Sequence, residues 1–223
     1  MKTLIIGHRT GIGFEIYNNL KKKSHNVIGL SRNTRTSKNS IKYDISSPHT
    51  LKLKYKFNNV IFAHRYRGKN PFEEYNTMVI GPINFILNNL KNFKKNSSII
   101  FLGSNAYNNV YMEQNVFYHA SRGAIDSSTK YLSYELGKQN IRVNCINPAT
   151  LIKNENKKFF SIKKNRKHLE KIIPNGKMTT SKNIADLCYY LCSENSYGIN
   201  GQTFVVDNGL KNISQETIAK KFL

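Results

Sequence analysis

The chain has 223 residues, 39% of them hydrophobic, and its 35 lysines and arginines outnumber its 13 aspartates and glutamates to give a net charge of +22. That length suits one domain over residues 1–223 rather than two. No apolar stretch approaches the roughly 20 residues of a bilayer-spanning helix, and the run at residues 4–6 is too short for the core of an export signal, so a cytoplasmic protein with no membrane contact is expected.

Three cysteines, an odd number, argue against a disulfide scaffold. Cys188 and Cys192 sit one helical turn apart with no histidine or second cysteine pair to complete a zinc site, and Cys145 lies in an apolar run. All three read as small buried thiols, and no metal is expected. The excess of positive charge raises a nucleic-acid or membrane-surface partner. The basic residues are spread along the whole chain, however, and no nucleic-acid-binding motif accompanies them. A bias toward Lys, Asn and Ile is the favoured reading, with no nucleic acid as partner.

In chain order, short apolar runs alternate with segments of helical spacing. Residues 3–6 read as a strand, 14–22 as a helix, and 27–30, 41–43 and 60–63 as strands. A helix over 73–92, a strand over 99–102, a helix over 118–137, a strand over 143–146, a helix over 182–192 and a strand over 204–206 complete the pattern. Asn140, Pro148, Pro174 and residues 198–201 mark breaks. Such alternation implies a parallel sheet covered on both faces, that is, a Rossmann-type doubly wound α/β domain.

The first strand runs into Gly7-His8-Arg9-Thr10-Gly11-Ile12-Gly13, followed by the helical Phe14-Glu15-Ile16. Strand, glycine-rich turn and helix start, in that order, suit a dinucleotide. Glycine permits the tight turn and the approach of backbone to pyrophosphate, and the helix N-terminus holds the anion. About 20 residues further on, an acid would receive the adenine ribose of NAD, whereas an arginine would accommodate the 2′-phosphate of NADP. The sequence offers Ser31-Arg32 with no acid nearby, and Arg9 inside the loop. NADP is therefore expected over NAD.

Further motifs follow in a fixed order. They are Asp44-Ile45, Ser104 after the fifth strand, Tyr118-His119-Ala120-Ser121-Arg122 at a helix start, and Asn144-Cys145-Ile146-Asn147-Pro148-Ala149. Ile173-Pro174-Asn175-Gly176-Lys177-Met178, Asn183-Ile184-Ala185, Gly201-Gln202-Thr203 and Val206-Asp207-Asn208-Gly209 close the series. Nearly end to end, this set resembles the short-chain dehydrogenase/reductase family, in particular its 3-ketoacyl-carrier-protein-reductase-like branch. The resemblance implies that Ser104, Tyr118 and Arg122 stand at the catalytic serine, tyrosine and lysine positions. It further implies that Gly7, Arg9, Gly11, Ile12, Gly13, Ser31, Arg32, Asp44, Ile45, Ala63, Pro148 and Leu151 hold the cofactor. A homodimer or homotetramer through the helices at 73–92 and 118–137 is implied as well.

The departures from the family pattern fall at the chemistry. Ala63-His64-Arg65-Tyr66 replaces Asn-Asn-Ala-Gly, the lysine is Arg122, and the glycine after Pro148 is Ala149. The family's helical asparagine, three residues before Gly81, is Met78, and Asn76 is two residues off on another helix face. His64 has no acid partner in view and reads as a packing or capping residue.

A tyrosine can move the proton at a substrate oxygen, but its ordinary pKa of about 10 is too high for a base near neutrality. A fixed cation one helical turn away favours the phenolate, and Arg122 is at i+4 from Tyr118. Arg122 also carries five donors for a ribose hydroxyl, but it cannot release a proton. Ser104 would stabilise charge on the substrate oxygen. An NADP-dependent carbonyl reductase or alcohol dehydrogenase is expected. The alternative is a cofactor-binding sensor or scaffold without hydride chemistry, motivated by Met78 and Arg122. Arg65, Arg67 and Lys69, with Lys153, Lys157, Lys158, Lys163, Lys164, Arg166, Lys167 and Lys171 in a lid-like segment, point to an anionic small-molecule or carrier-bound substrate. Compositional bias explains the same cations equally well.

Overall fold

A strand covered on both faces is apolar at consecutive positions rather than at alternate ones. Leu4, Ile5 and Ile6, then Val60, Ile61 and Phe62, then Ile99, Ile100 and Phe101, are all almost wholly excluded from solvent. The computed structural model, which describes every residue except Ser24 and Thr50, places these runs at the centre of a seven-stranded sheet. The strands are β1 (Lys2–Ile6), β2 (Asn26–Ser31), β3 (Ser40–Lys42), β4 (Phe57–Phe62), β5 (Phe93–Leu102), β6 (Ile141–Pro148) and β7 (Thr203–Val206). Every pairing is parallel, and the order is β3-β2-β1-β4-β5-β6-β7. This is the doubly wound α/β fold.

Alternate side chains of one strand feed two different cores. Ile5 packs with Ile16 and Leu20 of α1 (Gly11–Lys22) and with Ile184, Cys188 and Leu191 of α7 (Ser181–Cys192). Leu4 and Ile6 face the other way, toward Phe85 and Ile86 of α3 (Gly81–Asn88) and Ile125 and Leu132 of α4 (Val116–Gly137). A third, small cluster of Phe160, Ile173 and Met178 anchors the segment after β6, which carries α5 (Lys157–Ser161) and α6 (Lys163–Ile172). Helix α8 (Gln215–Lys220) lies near the C-terminus.

Cys145, Cys188 and Cys192 are buried and unbridged, as the sequence suggests. Desolvation pushes the Cys145 and Cys192 thiols up to about 12 and raises Cys188 as well, so none is a ready thiolate. Among the described residues, no helix is long and apolar enough to cross a membrane, and no group of three His, Cys, Asp or Glu side chains is arranged to hold a metal.

The segment expected as one helix over 73–92 is interrupted. It begins as α2 (Pro71–Tyr75), widens into a π-helical turn over Asn76–Ile80, resumes as α3 and ends in a 3-10 turn, Leu90–Asn92. Pro82 cannot donate an amide to an α-turn, and the chain takes the wider turn just before it, with the Gly81 amide bonded to the Asn76 carbonyl.

Candidate active site

From β1 the chain crosses to β2 on one side, and from β4 it crosses to β5 on the other. A crevice opens at the carboxyl ends of the strands where the winding reverses. Here it is a cleft of about 730 Å³, and every site residue expected from the sequence lines it except Gly13.

Gly7 leaves β1 with φ +90°, and its amide bonds to the Leu30 carbonyl at 2.8 Å. A Cβ there would stand 2.6 Å from the His64 backbone, so the position requires glycine for space as well as conformation. Gly13 lies inside α1, where a Cβ would overlap the Gly7 carbonyl. The missing Cβ lets the helix close onto the strand, and Gly13 does not line the cleft. His8, within the loop, lays its ring over Gly29 of β2, a position with no room for a Cβ. Desolvation keeps His8 below the usual histidine range.

The amide groups at the start of α1 are left for an outside acceptor. Thr10 makes no side-chain cap, and the first turn has no acid. By contrast, Asn70 caps α2 through the Phe72 and Glu73 amides, and Asn115 caps α4 through the Tyr118 amide. Bare first-turn amides suit an anion. Facing Gly11 is the Glu155 carboxylate, 2.7 Å from where a Cβ on that glycine would stand and 3.7 Å from the Arg67 guanidinium.

At the end of β2, Arg32 is exposed, as is Arg9 across from it, and among the described residues neither is in an ion pair. They share an adjoining hollow with Arg35 and Lys42 that no acid lines. Asp44 is engaged locally, accepting from the amide and hydroxyl of Ser46 at 3.0 and 2.7 Å.

The other end of the cleft holds Ser104, Tyr118 and Arg122. Ser104 Oγ accepts from the Ala106 amide at 3.2 Å, which leaves its proton available to the cleft. Arg122 is 2% exposed, and its guanidinium carbon lies 4.3 Å from the centre of the Tyr118 ring, with Arg65 5.3 Å away. Burial alone would raise the Tyr118 phenol, but Arg122, the Ser104 hydroxyl and Arg65 together outweigh it and bring its pKa below the ordinary 10.

The charge of Arg122 is answered from 48 residues upstream. Glu74 of α2, itself 6% exposed, accepts from Arg122 Nη2 at 3.4 Å and from Ser121 Oγ at 2.9 Å. Among the described residues, Nε and Nη1 of Arg122 are buried without a hydrogen-bond partner. His64 donates through Nε2 to the Thr77 carbonyl in the π turn at 2.8 Å, and desolvation holds its pKa down at about 4. Of the two candidates for the family's asparagine, Met78 is 2% exposed in the core and does not line the cleft. Asn76 donates to the Ser46 carbonyl at 2.8 Å, so the π turn instead presents Thr77 to the cleft. Sequence reasoning missed Glu74 and Glu155 because neither belongs to a local motif.

The bare amides of α1, the Cβ-free approach at Gly7 and the orphaned donors of Arg122 fit a dinucleotide laid across the cleft. Residues 73–211 match the family model described as Enoyl-(Acyl carrier protein) reductase. The L-xylulose reductase of Bos taurus is 33% identical over 92 residues, 41% of this chain and 38% of that protein. The enoyl-(acyl-carrier-protein) reductase (NADH) FabI of Buchnera aphidicola subsp. Acyrthosiphon pisum is 31% identical over 131 residues, 58% of this chain and 48% of that protein. The chain thus spans less than half the length of these curated relatives. The solved structure of 4-hydroxyisoleucine dehydrogenase complexed with NADH covers 96% of this chain and 99% of its own, with a TM-score of 0.80 at 22% identity, a likeness of fold.

Proposed function

The chain belongs to the short-chain dehydrogenase/reductase family, and on that premise we propose that it is an NADP(H)-dependent oxidoreductase interconverting a carbonyl and a secondary alcohol. The observation that carries the reading is a single one. A tyrosine held below its ordinary pKa by a buried guanidinium, with a serine hydroxyl beside it, shares a cleft with an uncapped glycine-turn helix.

The bare amides of α1 take the pyrophosphate, with Gly7 and Gly11 admitting it to the backbone. Arg32 and Arg9 take the 2′-phosphate with charge-assisted hydrogen bonds. NADH stands in the names of two relatives, but the exposed, unpaired arginine after β2 supports the phosphorylated cofactor for this chain. Arg122 offers Nε and Nη1 to the nicotinamide ribose. When bound, the nicotinamide supplies or accepts the hydride. Ser104 donates to the carbonyl oxygen and stabilises its developing charge. Tyr118 gives that oxygen its proton in reduction and takes it back in oxidation. Arg122 cannot relay the proton, and toward Tyr118 it acts as a fixed charge.

Lys157, Lys158, Lys163, Lys164, Lys167 and Lys171 are exposed on the segment after β6, whose first residues, Leu151 and Lys153 among them, line the cleft, and they favour an anionic substrate, small or carrier-bound. The exposed Ile80, Leu87, Tyr131 and Tyr134 on the π turn, α3 and α4 favour a homodimer or homotetramer through those helices. Three free thiols fit a reducing cytoplasm.

Titration with both cofactors tests the assignment. NADPH is expected to bind more tightly than NADH by roughly tenfold or more, and Arg32→Asp is expected to invert the order. Equal affinities in the unmodified protein refute the NADP(H) assignment.

A further inference from the structure

Arg122 is a permanent charge in an almost dry position, and such a charge is tolerated only when it is paired. The pairing here has a particular arrangement. One oxygen of Glu74, on α2, receives both the Ser121 hydroxyl and Arg122 Nη2, two consecutive residues of α4. The acid therefore grips the helix next to Tyr118 and holds one end of the guanidinium. The guanidinium carbon lies over the phenol ring, and Nε and Nη1 are left without partners.

We propose that Glu74 is a positioning residue for the chemistry of Tyr118: its carboxylate fixes the Arg122 guanidinium over the phenol ring and offsets part of the charge that the phenol senses. The order from α2 to the cleft is acid, guanidinium, phenol. A lysine in place of Arg122 would present one compact charge. The planar guanidinium can bond the acid with one nitrogen and keep the others for a ribose hydroxyl. Glu74 thus gives a physical reason for an arginine at this position.

On α4 itself the His119 ring meets Tyr118 edge-on at 5.9 Å, and the other groups that bear on Tyr118 come from separate elements. Arg65 follows β4, Lys153 follows β6, Tyr111 precedes α4, and Ser104 follows β5. None of them is altered by a substitution at Glu74.

The proposal rests on Tyr118 as the acid/base group, but its first readout needs no turnover. Tyrosine ring-carbon NMR, with Tyr118→Phe identifying the resonance among 13 tyrosines, follows the phenol titration in the free protein. Glu74→Gln keeps the shape and the acceptor oxygen and removes the charge. The Tyr118 titration is expected to move down by on the order of one pH unit. Glu74→Asp retains the charge but withdraws it from Nη2, and is expected to shift the titration by less than the glutamine does. The pH profile of kcat/KM should move with the titration.

A glutamate that only packs α2 against α4 predicts lower stability and an unmoved Tyr118 titration in Glu74→Gln. That result overturns the proposal, and the same result in Glu74→Asp overturns it if the glutamine variant does not fold. A shifted titration in a protein that turns over no carbonyl upholds the proposal and refutes the enzymatic reading. Carbonyl turnover with an unshifted titration does the reverse.

Discussion

At the glycine turn the chain builds its site from backbone: Gly7 at φ +90°, Gly11 at φ +59°, and first-turn amides that no side chain caps. At Tyr118 it builds from buried charge: a guanidinium 2% exposed, held by a glutamate 6% exposed on a different helix. The first region depends on conformations that only certain residues adopt, so its requirements are local and rigid. The second depends on a balance of charges brought together by packing, so it tolerates exchange of residue type when the balance is restored. Arg122, expected from the sequence at the family's lysine position, therefore falls in the half of the cleft that can be rebalanced.

The largest effect expected lies on the charge-built side. Tyr118→Phe removes the transferable proton and is expected to lower kcat by roughly 10²–10⁴-fold while leaving NADPH affinity nearly unchanged. Activity within a few-fold of the unmodified protein would assign the proton transfer to another group.

On the backbone-built side, Gly13→Ala puts a methyl into the Gly7 carbonyl and is expected to destabilise the fold by about 1–3 kcal/mol, measured by denaturant unfolding, with cofactor binding weakened as the turn shifts. A neutral outcome would mean that the turn adapts and is not rigid.

The smallest effect concerns Glu155, which stands at Gly11 and pairs loosely with Arg67. Glu155→Gln removes a negative charge from the path of the pyrophosphate and is expected to tighten NADPH binding a few-fold, more at low salt than at high. Unchanged or weaker binding would show that the carboxylate swings clear of the anion.

These two regions also divide what the sequence makes legible. The glycine turn, the Arg32 position and the alternation of strands and helices are written in consecutive residues, and the structure places them as that pattern implies. The interrupted helix at Asn76–Ile80 hides because helical periodicity is blind to one wide turn, although Pro82 marks the place. Glu74 hides for a deeper reason. Its meaning depends on Arg122, 48 residues away, and on a burial that only the packed fold supplies. Gly13 reads as a cofactor residue by motif, and its missing Cβ also makes room for the Gly7 carbonyl beneath the loop.

In this cleft a tyrosine beside a glutamate-held arginine is expected to move a proton during hydride transfer. Incubation of the unmodified protein with NADPH deuterated at the transferring carbon and a panel of neutral and anionic ketones tests it most directly. Deuterium is expected on the carbinol carbon of at least one product, with the anionic ketones favoured at low salt, and none with Tyr118→Phe. Tight NADPH binding with no deuterium in any product would contradict it and make the cleft a cofactor sensor.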